Sequence, residues 1–146
     1  EADNSKEVLT TLYWAAEGTG FHEDNTVKVL SAAQGQQQKI RLQLSGHLGN
    51  AISKVRLDLA EKPGCFVVSK LECLNHKGQS IWTWDFDFGN FKNVSQMAFF
   101  HPNASHPEVC MLSTGTDPQF ELSLPTKALR GLSKGGAILV ELSVFV

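Results

Sequence analysis

The sequence predicts an all-β fold, an antiparallel β-sandwich with a jelly-roll-like arrangement of strands. Apolar and polar residues alternate along most of the chain, Gly and Pro punctuate the alternating runs, and only one short segment is a helical candidate. Side chains in a strand point to alternate faces, so a run with one apolar face is typical of a half-buried antiparallel strand. About ten such runs follow one another at spacings near a dozen residues, as in a sandwich.

The first four strands are expected at residues 8–14, 26–31, 40–44 and 55–59, and the next two, separated by turns, at 65–74 and 79–88. Pro63-Gly64 favours a type II turn, and Gly78 favours a hairpin after Asn75. A short helix is expected at 126–133, with Thr126 as a possible N-cap and Gly135-Gly136 limiting its length. The remaining strands are expected at 96–100, 109–113, 120–124 and 138–144. The residues expected to face the core are Leu42, Leu57, Leu122 and Val140.

The most aromatic segment of the chain, Ile-Trp-Thr-Trp-Asp-Phe-Asp-Phe, covers residues 81–88. If it is a strand, Trp82, Trp84, Phe86 and Phe88 share one face. Two interpretations follow. The aromatic face is either the centre of the sandwich core or, in part, an exposed platform on which a ligand stacks.

Composition limits the classes of partner. The chain has 146 residues, a formal net charge of −2 and no run of basic residues, so we expect one domain over residues 1–146 and no nucleic-acid partner. No apolar run approaches the roughly 20 residues that span a bilayer, so no membrane insertion is expected. The polar start lacks the apolar segment of a signal peptide, and it is compatible with a processed terminus or with the cut edge of a larger protein.

Three cysteines are an odd number, so one thiol remains unless two chains pair. Cys65 and Cys73 lie in one predicted strand, roughly 26 Å apart at about 3.3 Å per residue, too far for a disulfide. Buried free thiols in a reducing compartment are the expectation, and a bridge from Cys110 to one of the others is the alternative. No cysteine or histidine spacing is typical of zinc, and we expect no cofactor.

No nucleophile elbow, phosphate loop or dinucleotide fingerprint occurs, so we expect no enzymatic activity. Asp85 and Asp87 share a face if their segment is a strand. They then form a solvated face, hydrogen-bond a ligand or coordinate a structural calcium ion, or act as a catalytic pair. The five histidines fall mostly in predicted loops; they are His22, His47, His76, His101 and His106.

Aromatic side chains bind sugars by stacking on their apolar C–H faces, while polar groups fix the orientation. Trp82 and Trp84 are the first candidates for this role, with Asp85 accepting hydrogen bonds from sugar hydroxyls. Tyr13 and Trp14 are further candidates, and because they are adjacent in a strand only one of them can face the core.

Two loops rich in glycine and short polar residues add carboxylates to this predicted site. Glu23 follows Gly18-Thr19-Gly20-Phe21-His22, and Asp117 follows Thr114-Gly115-Thr116. Such loops bring backbone and carboxylates close to a ligand without crowding it. The alternative is that both carboxylates hydrogen-bond only their own turns.

Several short segments, in their order along the chain, carry a resemblance to a known family. They are Leu12-Tyr13-Trp14, Gly18-Thr19-Gly20-Phe21-His22-Glu23, Val55-Arg56-Leu57-Asp58-Leu59 with Lys62-Pro63-Gly64, Leu71 with Asn75-His76-Lys77-Gly78 and Ile81-Trp82, and Thr114-Gly115-Thr116-Asp117-Pro118-Gln119-Phe120.

This series resembles the non-catalytic β-sandwich domains attached to bacterial glycosyltransferases of surface-polysaccharide assembly. The resemblance implies a carbohydrate-binding accessory module, part of a larger enzyme whose catalytic residues lie in other domains. Unpaired cysteines favour the cytoplasm or the cytoplasmic membrane face, and the periplasm is the alternative. Trp14 departs from similar sequences, which often carry Asp there. The competing hypothesis is a structural module that mediates interdomain or subunit contacts without binding sugar.

Overall fold

The computed structural model describes residues 7–45, 51–101 and 108–146. Within these ranges, two antiparallel sheets pack face to face, which confirms the predicted all-β sandwich. The strands are β1 (Glu7–Ala16), β2 (Thr26–Ala32), β3 (Gln38–Gln43), β4 (Ile52–Asp58), β5 (Gly64–Leu74), β6 (Ser80–Thr83), β7 (Phe91–Ser95), β8 (Met97–Phe100), β9 (Val109–Ser113), β10 (Gln119–Leu122) and β11 (Ala137–Phe145).

One sheet has five strands in the order β2-β1-β4-β10-β7. Leu12 of β1 pairs with Leu57 of β4, and Leu57 pairs with Phe120 of β10. These three side chains are buried, so this row of the sheet faces the core. The next residue along each strand therefore points outward, away from the other sheet.

The second sheet has six strands. Five follow the order β3-β11-β5-β9-β8, and β6 pairs with the same edge of β5 beyond the end of β9. Ile138 of β11 pairs with Leu42 on one side and with Cys73 on the other, and all three are buried. The four residues predicted to face the core, Leu42, Leu57, Leu122 and Val140, are all buried, as expected.

The predicted helix is present as α1 (Thr126–Ser133). Its N-cap is Pro125, not Thr126, and no side chain caps the first turn. Ala128 and Leu132 are fully buried and dock the helix on the sandwich. At Gly131 a methyl group would meet the Ile81 side chain at 2.3 Å, so glycine lets the helix approach β6 closely.

The prediction of one strand over residues 79–88 is wrong beyond Thr83, where β6 ends. Phe86 has a φ of 67°, a left-handed conformation that interrupts extended backbone. The Asp85 carboxylate accepts a hydrogen bond from the Asp87 backbone N–H at 3.1 Å, and the Asp87 carboxylate accepts one from Gly89 at 2.8 Å. These local bonds stabilise a turn and a single 3₁₀ turn at Phe88–Asn90 in place of the strand.

Trp84 lies in this turn and is only 2% exposed. Its backbone N–H donates to the carbonyl of Leu71 and its indole N–H donates to the carbonyl of Asp87, both at 2.8 Å. The ring lies 4.9 Å from Phe86 and 4.8 Å from Phe91, measured between centroids. The first interpretation of the aromatic segment therefore holds for Trp84, which belongs to the core.

Replacing Trp84 by Ala is expected to destabilise the protein by about 3–5 kcal/mol, because a large buried ring and a buried N–H donor are both lost. Urea unfolding followed by circular dichroism measures this free energy. Trp82→Ala is the matched control and should cost less, since Trp82 is only partly buried. Equal losses for the two variants would contradict the burial described for Trp84.

Gly136→Ala is expected to destabilise the fold by about 1–3 kcal/mol or more, because the added methyl would lie 2.2 Å from the carbonyl oxygen of Leu74, a backbone atom in a sheet. Gly20→Ala is the control, since nothing lies within 4 Å of its methyl position. That variant should stay within about 0.5 kcal/mol of the unchanged protein in the same unfolding measurement. A stable Gly136→Ala protein would show that the Leu74 strand end can move.

Candidate functional site

The outer face of the five-stranded sheet carries a continuous row of polar and aromatic side chains. Tyr13 of β1 pairs with Arg56 of β4, Arg56 pairs with Glu121 of β10, and Glu121 pairs with Lys92 of β7. On β1, β4 and β10 each of these residues is next in sequence to one of the buried row that contains Leu12. Because successive side chains of a strand point to opposite faces, this row faces solvent. Four neighbouring strands thus bring these side chains together.

Arg56 is held in one position by two kinds of contact. Its Nε and Nη2 donate to the two carboxylate oxygens of Asp58 at 2.9 and 3.0 Å, a bidentate pair. Its guanidinium carbon lies 4.0 Å from the ring centroid of Tyr13 and 5.4 Å from that of Phe21, within the range of cation–π attraction. Because Arg56 is pre-ordered, its remaining N–H groups can bind a ligand with little loss of side-chain entropy.

Tyr13 is fixed by the loop between β1 and β2. Its hydroxyl donates to Glu23 at 2.6 Å, and the Lys28 ammonium donates to the other oxygen of the same carboxylate at 3.1 Å. Phe21 of this loop meets the Tyr13 ring edge-on, with centroids 6.4 Å apart. We call the surface formed by Tyr13, Phe21, Glu23, Arg56 and Asp58 the Tyr13–Arg56 surface.

The electrostatics of this surface follow from the same contacts. Burial, followed by the hydrogen bond to Glu23, raises the pKa of Tyr13 to about 12. The hydrogen bond from Tyr13, followed by that from Lys28, lowers the pKa of the exposed Glu23. Burial raises the pKa of Asp58 although Arg56 acts in the opposite direction, and the negative charges of Asp117 and Glu23 add to the increase.

A shallow cavity of about 220 Å³ continues the Tyr13–Arg56 surface along the sheet. Lys54 and Lys92 line it together with Glu121 and with Leu122, Leu124 and Leu129. The Lys54 ammonium also lies 4.8 Å from the Phe21 ring centroid, which links the cavity to the aromatic pair. This volume is below the ~300–1,000 Å³ typical of pockets for drug-sized ligands, so the cavity suits a single small ring or one polar group.

The structure divides the predicted site residues into separate groups. Tyr13 and Glu23 come together on the Tyr13–Arg56 surface. Asp117 lies in the loop before β10, where it accepts a hydrogen bond from Gln119 at 3.2 Å and is close enough to influence the pKa of Asp58. Trp14 packs against the core, so Tyr13 is the member of that adjacent pair that faces outward.

The predicted aromatic platform is not assembled as expected. Trp84 is buried, and Trp82, which pairs with Cys73 in β6, packs partly against the core. The predicted geometry therefore fails, because Trp82 and Trp84 do not form one exposed face. Asp85 is exposed, but its carboxylate bonds the backbone of its own turn and lies away from the Tyr13–Arg56 surface, on the side of β6.

Sequence reasoning did not select Arg56, Asp58 or Phe21 as site residues. The available signal was the Arg-x-Asp pair in one strand, since residues two apart share a face and an outward arginine beside an outward aspartate forms a bidentate pair. Phe21 offered no comparable signal, because its contact with Tyr13 depends on how the loop folds back over the sheet.

The three histidines that the structure describes are not among the residues that form this surface. His22 and His76 are exposed in turns, and His101 stacks on Phe88 with centroids 5.0 Å apart. His47 and His106 lie outside the described residues. Among the residues that the structure describes, no three His, Cys, Asp or Glu side chains are grouped so that they could hold a metal ion.

No helix in the described ranges is long and apolar enough to cross a membrane. Comparison of the chain with known protein families, with curated proteins and with solved structures finds no match.

We expect the phenol of Tyr13 to titrate near pH 12, about two pH units above an ordinary tyrosine. Tyr13 is the only tyrosine in the chain, so ultraviolet absorbance of the phenolate reports it without interference from other tyrosines. Glu23→Gln should lower this pKa, because it removes a negative charge beside the phenol, and burial should keep it above 10.

The same shift predicts how stability depends on pH. The folded state binds the phenolic proton more tightly than the unfolded state does. The contribution of Tyr13 to the free energy of unfolding is therefore complete below about pH 10 and is lost as the pH rises to about 12. Glu23→Gln should weaken this alkaline loss, as measured by urea unfolding at several pH values. A titration at pH 10 in the unchanged protein would contradict the Tyr13–Glu23 contact.

Proposed function

We propose that this chain is a non-catalytic glycan-binding module that positions a polysaccharide for the catalytic domains of a bacterial glycosyltransferase. The Tyr13–Arg56 surface is its binding face. This proposal keeps the function implied by the family resemblance and moves the predicted site from the Trp82–Trp84 segment to the opposite sheet.

The observation that carries the proposal is the fixed guanidinium of Arg56. Two of its five N–H groups bond Asp58, its guanidinium carbon lies over Tyr13, and the side chain keeps 22% of its surface exposed. Planar, pre-ordered donors beside aromatic rings match a sugar, which has an apolar face and a rim of hydroxyl groups. A flat or shallow face also suits an extended polymer better than a small molecule that must be enclosed.

The charge pattern supports a sugar over a polyanion or a polycation. On the outer face Lys28 pairs with Glu23 and Arg56 pairs with Asp58, while Lys54, Lys92 and Glu121 lie together along the neighbouring cavity. Such a surface has many hydrogen-bond donors and acceptors but no strong field of one sign. Hydroxyl groups, which both donate and accept, are the groups that it can satisfy best.

The hydrogen bonding of the carboxylates supports binding in place of catalysis. Glu23 accepts from both Tyr13 and Lys28, and Asp58 accepts twice from Arg56. A general acid or base needs an oxygen free to exchange a proton with the substrate, whereas these oxygens already serve to order their neighbours.

A second candidate function, contact with a neighbouring domain or subunit, is favoured by one specific observation. On the outer face of the six-stranded sheet, Leu112 pairs with Ala98 and Cys65, and Cys65 pairs with Phe145. Leu112 is 41% exposed and Phe145 is 50% exposed, so this row is an apolar strip on a surface. Apolar strips of this kind are typical of interaction sites.

Arg56→Ala is expected to weaken glycan binding by about 10- to 100-fold, because charge-assisted hydrogen bonds are worth about 1.5–3 kcal/mol each. A glycan array with the unchanged protein identifies the sugar, and titration calorimetry then measures the affinity of each variant. Arg41→Ala is the matched control, an exposed arginine in β3 of the other sheet, whose loss should leave the affinity unchanged.

Circular dichroism and thermal unfolding of both variants separate a binding defect from a folding defect. Tyr13→Phe should also weaken binding, since it frees Glu23 while keeping the ring. If no glycan binds and the unchanged protein self-associates in ultracentrifugation, the second candidate function is favoured and the glycan proposal fails.

A further inference from the structure

Two of the three cysteines lie in contact on adjacent strands. Cys65 of β5 pairs with Leu112, and Cys110 of β9 pairs with Val67, so the two cysteines are diagonal neighbours across the β5–β9 ladder. Their sulfur atoms are 2.7 Å apart. The sequence left open which residue Cys110 could join, and the register of these strands identifies Cys65.

A bulge in β5 separates these thiols from the third one. Glu141 of β11 pairs with Lys70 and the next residue, Leu142, pairs with Val68, so β5 has one extra residue between them. Without it, Cys65 and Cys73, eight residues apart, would share a face. With it, Cys65 is on the outer face, while Cys73 is fully buried and its Sγ donates to the carbonyl of Ala128 at 3.7 Å.

The two outer thiols differ in access. Cys65 is partly exposed, whereas Cys110 is only 6% exposed. Burial, followed by the contact with Cys65, raises the pKa of the Cys110 thiol to about 12. Cys65 is therefore the sulfur that a reagent from solvent reaches first, and Cys110 is placed behind it.

We propose that Cys65 and Cys110 form a reversible intramolecular disulfide, with a small-molecule disulfide as the oxidant. The pair lies on the outer face of the six-stranded sheet, and the Tyr13–Arg56 surface lies on the other sheet. The inference is thus independent of the glycan proposal.

The reaction is two successive thiol–disulfide exchanges. The thiolate of Cys65 attacks one sulfur of the small disulfide, whose S–S bond breaks and releases the first small thiol. Cys110 then loses its proton and attacks Sγ of Cys65, the mixed disulfide breaks, and the second small thiol leaves. Two protein thiols are oxidised by two electrons in total, and one small disulfide is reduced to two thiols.

The register of the strands explains why this bond would also reopen. Diagonal neighbours on antiparallel strands are about 7–8 Å apart at their Cα atoms, slightly more than the ~4.4–6.8 Å that disulfides usually span. The two side chains incline toward each other and close most of this gap, and a small local shift of β5 and β9 completes it. Disulfides that need such an adjustment are among those that thiol reductants open readily.

The test uses the purified chain, reduced and then treated with oxidised glutathione under native conditions. Remaining thiols are alkylated in denaturant, and mass spectrometry of a digest maps the bonds. We expect the alkylated cysteines to fall from three to one, the remaining one being Cys73, with a peptide linked through Cys65 and Cys110. Dithiothreitol should restore all three.

Two cysteine variants test the two exchange steps separately. Cys110→Ser should stop at a glutathione adduct on Cys65, and Cys73→Ser should still form the bridge. The mapping of the unchanged protein remains decisive if a variant fails to fold. Three alkylated cysteines after oxidation, a bridge that includes Cys73, or bonds found only between two chains would each overturn the proposal.

Discussion

The pairing of β5 with β11 is the interaction on which the rest of the structure depends. It joins the two strands from Ala137–Leu74 at one end to Phe145–Cys65 at the other. The other edge of β5 then holds β9 and β6 in succession, and its Leu71 carbonyl accepts the hydrogen bond from the backbone N–H of Trp84. β5 therefore positions three features of the protein. They are the core residue Trp84, the buried thiol of Cys73 beside α1, and the outer pair of Cys65 and Cys110.

Much of this fold could be predicted because alternation is a local property of the sequence. Strands whose inner face is strictly apolar, such as those around Leu57 and Val140, were located within a few residues. The prediction of one strand through the aromatic segment failed for a physical reason. Alternation with a period of two is also compatible with a turn, once Asp85 and Asp87 accept hydrogen bonds from nearby backbone N–H groups. The short strand Phe91–Ser95 was missed because its residues Lys92, Asn93 and Val94 are all exposed and no alternation marks it.

The candidate site was harder to predict than the fold because it depends on contacts between distant segments. Residue type predicts Tyr13 and Glu23 as candidates, but it favours the large rings of the Trp82–Trp84 segment over them. In the structure Trp84 is buried and Trp82 is partly buried, because a sandwich of this size needs its largest rings to fill the core. Tyr13 is a candidate because the guanidinium of Arg56 lies above its ring, a contact that follows from strand register.

The position of β11 in its sheet has a consequence for how the chain folds. The last strand of the sequence is an interior one, with β3 on one side and β5 on the other. Ribosomal synthesis therefore delivers β3 and β5 well before the strand that joins them. Until then the edges of β3 and β5 that pair with β11 have no partner, a state prone to mispairing. Non-local pairing of this kind makes folding slow, so we expect the six-stranded sheet to be the last part of the domain to form.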